Sequence, residues 1–260
     1  MGMPIKRKLR EGKSVVGTML CMITNPNIIW LLKDAGFDFI FIDCEHGTFT
    51  FSQVSGLASM CRALDMGVIV RIPQPDRDNV QKYSDMGIDG IMLPMVETVE
   101  QVAAAAHYAR YTPQGNRGMG GGAVIDYKRN VNLSEVIAQV NEDYLLVAQI
   151  ETKKGVENID KILSVPGVDA VFFGVTDLSI SYGKPGQIYD PIFRERIGYV
   201  LDCAKKYNKI CGHHFFGWED VQWGLDYGVR LVTWHTDTSI LQRIYSEDIT
   251  KITSSPNFIR

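Results

Sequence analysis

Leu145-Leu-Val-Ala-Gln-Ile-Glu151-Thr152 and Ala170-Val-Phe-Phe-Gly174-Val-Thr-Asp177 are the two stretches whose reading decides the fold. Each is an apolar run, rich in β-branched and aromatic residues, that ends in a carboxylate beside a turn. Glu151 and Asp177 are 26 residues apart, the length of one strand-helix-strand unit, and the segment between them reads as helix. Neighbouring parallel strands lie about 4.8 Å apart. The spacing therefore predicts both carboxylates on one edge of one sheet, close enough to share a divalent cation.

Outward from this pair, apolar runs alternate with amphipathic segments along the chain, the pattern of an α/β protein with parallel strands. Strands are expected at 14–21, 37–46, 68–73, 90–95, 145–152, 170–177, 209–216 and 230–235. Helices are expected between them, the first over 26–36 with Asn25 as its cap and Gly36 as its stop. Eight such units in 260 residues fit one (β/α)8 barrel spanning 1–260, a fold of about 250 residues in its usual form. An open doubly wound sheet is the alternative, but the first strand-turn lacks the G-x-G-x-x-G phosphate loop such sheets often carry. The run Gln114–Gly122 interrupts the alternation. It reads as a flexible connector or, because glycine lets backbone approach a ligand, as a mobile lid.

Composition narrows the class. The chain is 45% hydrophobic and 22% charged, enough apolar material for a large core. A net charge of −3 carries no electrostatic footprint for nucleic acid or an anionic membrane, although a few local arginines suffice for a small anionic substrate. Cys21, Cys44, Cys61, Cys203 and Cys211 form no C-x-x-C pair and read as reduced thiols. The basic start, Met1 to Lys8, is followed by no apolar stretch, and no run approaches the roughly 20 residues of a membrane span. A cytoplasmic location is the expectation.

In a barrel the active site lies at the C-terminal ends of the strands. Polar residues there are Asp43, Glu45 and His46, Arg71, Gln149 and Glu151, Asp177, His213 and His214, and His235 and Asp237. Each has a plain structural reading: Asp177 as a helix cap, His46 as packing in its turn, Arg71 as partner of an internal aspartate. Glu151 resists such a reading, because Glu is a poor N-cap and seldom ends an apolar strand unpartnered. Two carboxylates, with water and substrate completing the shell, suit a hard cation such as Mg²⁺ or Mn²⁺, with Co²⁺ a further candidate. Zinc fits less well, since no His or Cys cluster is present. No lysine ends a strand, which argues against a Schiff base. A metal-assisted enolate remains. In a retro-aldol cleavage the 2-oxo acid chelates the cation, Arg71 braces the keto oxygen, and His46, its tautomer fixed by Asp43, takes the proton of the C4 hydroxyl.

At these residues the sequence resembles the HpcH/HpaI aldolase/citrate lyase family, class II pyruvate aldolases acting on 4-hydroxy-2-oxo acids. The resemblance runs from Ser14 to the final helix. It is carried by Phe37 to Gly47, Val70-Arg71, Leu93-Pro94-Met95-Val96, Asn116-Arg117-Gly118, Gln149-Ile150-Glu151-Thr152 and Gly174-Val175-Thr176-Asp177-Leu178-Ser179. It implies Glu151 and Asp177 as metal ligands, Arg71 on the pyruvyl oxygen and Gln149 and Gly174 lining the pyruvyl site. Backbone amides at Thr176 and Asp177 would hold the substrate carboxylate. His46 would be the acid/base, held by Asp43 and by an aspartate matching Asp85 that reaches in from an adjacent subunit. It also implies a homo-oligomer, hexamer or trimer, with an exchanged C-terminal helix.

The family's usual Gly-Pro-Ala-Asp-Leu-Ser stands here as Gly174-Val175-Thr176-Asp177-Leu178-Ser179. His213-His214 and Trp234-His235 replace apolar and small residues. These departures concern the acceptor half of the substrate. Three functions follow: a pyruvate aldolase, an oxaloacetate decarboxylase or macrophomate-synthase-like enolate-transfer enzyme using the same ligands, and a non-catalytic barrel that binds 2-oxo acids.

Overall fold

Phe39-Ile-Phe-Ile-Asp43 has no exposed side chain, and the same holds for 67–71, 90–93, 145–150 and 170–173. Strands covered on both faces are what a closed parallel sheet inside a ring of helices requires. In the computed structural model, which describes residues 5–259, they form that sheet. The elements, in order, are α1 (Ile5–Arg10), β1 (Val15–Leu20), α2 (Ile28–Asp34), β2 (Phe39–Asp43), α3 (Phe51–Ala63), β3 (Gly67–Arg71), α4 (Arg77–Ser84), β4 (Gly90–Leu93) and α5 (Val99–Ala109). After a 3-10 turn at Gly122–Ile125 come α6 (Leu133–Asp143), β5 (Leu145–Ile150), α7 (Lys153–Glu157), α8 (Ile159–Leu163), β6 (Ala170–Phe173) and α9 (Val175–Ser181). α10 (Pro191–Lys206), β7 (Ile210–Phe215), α11 (Trp218–Tyr227), β8 (Leu231–Thr236) and α12 (Asp237–Thr253) complete the chain. β1 to β8 close in sequence order into a (β/α)8 barrel.

Alternation along each strand divides the core in two. Val15, Met19, Phe39, Phe41, Ile69, Met92, Leu145, Val147, Phe172 and Leu231 fill the barrel. Their neighbours Ile40, Ile42, Val68, Val70, Ile91, Leu146, Ile150 and Phe173 face the helices. The helices start where hydrogen-bonding side chains follow the strands. Thr50 with Gln53 and Thr98 with Gln101 form capping boxes at α3 and α5.

Three details differ from the sequence expectation. The basic N-terminal segment hides α1, whose Ile5 and Leu9 plug the N-terminal end of the barrel. A Cβ on Gly67 would lie 2.2 Å from Ile5, so glycine is needed for that approach. Lys6 is buried beneath the plug, 2.8 Å from Asp169 and 2.9 Å from the Tyr144 carbonyl, and burial lowers its pKa to about 8. Second, the helix between the two deciding strands breaks at Asn158 into α7 and α8. Third, the glycine run is an α-to-β connection, which in a barrel lies opposite the strand C-termini. Gly118 abuts Gln81 and Gly120 abuts Asp85, so within its own chain the run is no lid over the rim.

All five cysteines are unpaired. Among the described residues no helix is long and apolar enough to cross a membrane.

Candidate active site

β2 and β3 run in register so that Asp43 lies beside Arg71, each the last residue of its strand. Arg71 is buried, and its Nε and Nη2 donate to the two Asp43 carboxylate oxygens at 2.9 and 2.7 Å. Nε also lies 3.2 Å from Glu45 Oε2, and Nη1 reaches Gln149 Oε1 at 3.5 Å. A buried guanidinium is tolerable only when so paired. Burial alone would raise the Asp43 carboxyl. The Arg71 hydrogen bonds and charge, with the backbone N–H groups of His46 and Glu45, outweigh burial and hold Asp43 below the usual carboxylate range.

On the other side, Gln149 is the last residue but one of β5, beside Phe172 of β6, and its Nε2 donates to Glu151 Oε2 at 2.7 Å. Glu151 Oε1 accepts the Met95 N–H at 2.7 Å, and Met95 holds a left-handed φ of 50° to present it. A non-glycine residue in that region is uncommon and clusters at functional sites. Glu151 is 1% exposed. Burial raises its pKa to about 7; Met95 and Arg71 pull it down, and Asp177 and Glu45 push it up. A Cβ on Gly174 would come 2.2 Å from Glu151 Oε2, so the bare end of β6 makes room for that carboxylate. Asp177 lies not on the strand but in the first turn of α9, where the first intrahelical bond runs from Leu178 N–H to the Gly174 carbonyl. The N–H groups of Thr176 and Asp177 are thereby left at the helix start.

Glu151, buried and made costlier to ionise by the charge of Asp177, forms with it a donor set that a divalent cation fits. Among the described residues no group of three His, Cys, Asp or Glu forms a fuller cage. The remaining positions would fall to water and substrate, as hard cations accept.

His46 stands at the same rim, exposed, its Nε2 3.8 Å from Glu45 Oε2. Asp43 was expected to fix the His46 ring. Its carboxylate instead takes the backbone amide of His46, because both oxygens are engaged by Arg71. Gly47 permits the turn, since a Cβ there would lie 2.1 Å from the Asp43 carbonyl. Asp85 follows α4 at the opposite end of the barrel, 2.8 Å from Arg117, and within this chain it does not meet His46. Asp237, a rim residue in the sequence, is consumed structurally by accepting the N–H groups of Cys21, Met22 and Ile23. Glu45 stands among the rim residues of the sequence without a role, and the structure gives it one beside Arg71. Its signal was its place two residues after Asp43, on the same side of an extended segment. A cavity of about 500 Å³ lies at the N-terminal end among Arg7, Arg62, Asp89, Arg117 and Tyr144 and contains none of the rim residues.

A barrel with a paired arginine and two carboxylates at its catalytic rim, and with no strand ending in lysine among the described residues, defines a carbon–carbon lyase of the class II aldolase kind. The chain belongs to the HpcH/HpaI aldolase/citrate lyase family, whose model matches residues 18–240. It is 35% identical over 194 residues to a 4-hydroxy-2-oxovalerate aldolase of Novosphingobium aromaticivorans, covering 73% of this chain and 71% of that one. It is 30% identical to a hydroxypyruvate/pyruvate aldolase of Delftia acidovorans, covering 92% and 88% of the two chains. The crystal structure of an HpcH/HpaI aldolase from Desulfitobacterium hafniense superposes with a TM-score of 0.96 at 38% identity, with 100% of both chains covered.

Proposed function

We propose that this aldolase reversibly cleaves a 4-hydroxy-2-oxo acid to pyruvate and an aldehyde. The observation that carries the reading is the opposition, at one rim, of carboxylate-paired Arg71 to the Glu151–Asp177 pair. Glu151 and Asp177 would hold a divalent cation, magnesium or manganese with cobalt as a further candidate. Bound there, it supplies positive charge for the enolate oxygen of pyruvate. Arg71, fixed by Asp43 and Glu45, keeps Nη1 in its longest contact, 3.5 Å to Gln149, and that donor turns to the 2-oxo oxygen. Gln149 and Gly174 line the pyruvyl half. The N–H groups of Thr176 and Asp177 hold the carboxylate of the substrate. In cleavage the C3–C4 bond breaks with its electron pair left on C3, and the C4 hydroxyl proton passes to His46 directly or through water. C3 is then reprotonated.

The test is condensation of pyruvate with a panel of aldehydes with and without Mg²⁺ or Mn²⁺. Absence of any product, and of any pyruvate released from 4-hydroxy-2-oxo acids, would sink the reading. The same residues serve a second reaction, loss of CO₂ from oxaloacetate, which needs no base at a hydroxyl. His46→Ala is therefore expected to lower aldol cleavage about 10²–10⁴-fold while decarboxylation falls far less. Equal losses would remove His46 from the role of base.

We also assign an oligomer. α12 leaves Leu241, Ile244, Tyr245, Ile249 and Ile252 exposed along one helix, a stripe that a second copy of this chain would cover. Asp85 would then complete a neighbour's His46, with hexamer or trimer as the expected assembly. Ile249→Glu should shift the mass measured by light scattering toward monomer, and an unchanged mass would refute the stripe as the interface. The unpaired thiols fit a cytoplasmic setting.

A further inference from the structure

β7 places two histidines at the catalytic rim, and they face opposite ways. Ile210 packs with the barrel interior, and a Cβ on Gly212 would meet Phe172 of that interior at 2.5 Å. Alternation then turns His214 inward and His213 outward. His213 is packing: its ring stands edge-on to Phe173 and Phe215, and its Nδ1 lies 3.4 Å from the Phe173 carbonyl.

His214 is different. Its Nδ1 lies 2.8 Å from Thr233 Oγ1 on β8, while its Nε2 is buried with no hydrogen-bond partner among the described residues. Thr233 Oγ1 also lies 3.4 Å from the His213 carbonyl, which can only accept. The hydroxyl donating there accepts Nδ1–H, and Nε2 is left offering a lone pair. Burial foremost, then His213, His235 and Arg71, pushes the His214 pKa down to about 3, so the ring is neutral near pH 7. A buried polar atom without a partner is unfavourable, so a ligand group that pairs with it is favoured.

The location says which part of the substrate supplies that partner. Arg71, Gln149, Glu151 and Gly174 line the arc from the end of β3 to the end of β6. In an eight-strand ring β7 lies across from β3, so the β7–β8 arc is left for the rest of the molecule. That arc is an imidazole and aromatic wall: Phe216 lies 4.5 Å from His214 and 5.7 Å from His235. His235 itself holds a left-handed φ of 51°, a costly backbone state at the end of β8.

We propose that His214 is a specificity-determining residue whose Nε2 accepts a hydrogen bond from a hydroxyl on the aldehyde half, so that the chain prefers acceptors hydroxylated beside the carbonyl. This deepens the aldolase reading and rests on it. The isosteric pair glycolaldehyde and propionaldehyde isolates the hydroxyl. With the full chain, pyruvate and Mg²⁺, kcat/KM should favour glycolaldehyde about tenfold or more, because a site built for a hydroxyl rejects the analogue without one. His214→Leu should erase that ratio and His214→Gln should keep part of it. A merely structural role would lower both values together and leave the ratio in place, which would overturn the proposal, as would a wild-type ratio near one. Should neither aldehyde condense, the aldolase reading fails separately. Calorimetric binding of 4,5-dihydroxy-2-oxopentanoate against 4-hydroxy-2-oxohexanoate then decides: a preference of about tenfold that is lost in His214→Leu supports the contact, and equal affinities refute it.

Discussion

Glu151→Gln is expected to abolish turnover while leaving the barrel folded. The substitution preserves shape and one acceptor in a site where the carboxylate is 1% exposed and the Met95 amide lies 2.7 Å away. It removes the negative charge for which a divalent cation would bind. Burying that charge is unfavourable without a cation, so the metal-free variant should melt no lower than the metal-free wild type. Saturating Mg²⁺ or Mn²⁺ at about a hundredfold above Kd should raise the wild-type Tm by roughly 5–10 °C and leave the variant unmoved. Asp177→Asn should behave alike from the other side of the pair. Near-normal activity, or an undiminished metal-induced rise in Tm, in either variant would reject the assignment of these two carboxylates. Chelation of the wild type should reproduce the loss, and restoring the cation should reverse it.

Arg71 carries the second large expectation. Its guanidinium is held by Asp43 at 2.7 and 2.9 Å and by Glu45 at 3.2 Å, and in the proposed cleavage it would donate where negative charge grows. Loss of one such donor costs about 10²–10³ in kcat. Arg71→Ala should therefore lower kcat and raise KM together, since the contact exists in the ground state and strengthens as the enolate forms. It should also destabilise the fold, because Asp43 and Glu45 are left as carboxylates facing each other with no cation between them, a loss of about 3–5 kcal/mol for a fully buried pair. Arg71→Lys keeps the charge but not the planar two-pronged geometry. It should stay folded and still lose most of kcat. A lysine variant with wild-type kcat would show that charge alone, without directed donors, suffices.

The residue pattern by itself determined the eight strands, their parallel order and the rim to which Arg71, Gln149 and Glu151 belong. Period-two burial and strand-helix spacing are local, additive signals. The side chains at strand ends announce themselves by breaking an apolar run. It also determined the family, because the motifs from Phe37-Asp-Phe-Ile-Phe-Ile-Asp43 to Thr176-Asp177 occur in a fixed order. Only the tertiary structure decided the partnerships. That Asp43 serves Arg71 and not the His46 ring follows from the lateral register of β2 and β3, which no local pattern encodes. That Ile5 and Leu9 plug the barrel beneath a basic N-terminal segment depends on a cavity formed by strands far along the chain. That the glycine run lies opposite the catalytic rim follows from chain direction: a strand and the helix after it run antiparallel, so every helix-to-strand turn falls at the far end. Which atoms meet is set by closure of the whole ring, and closure is a property of eight strands at once.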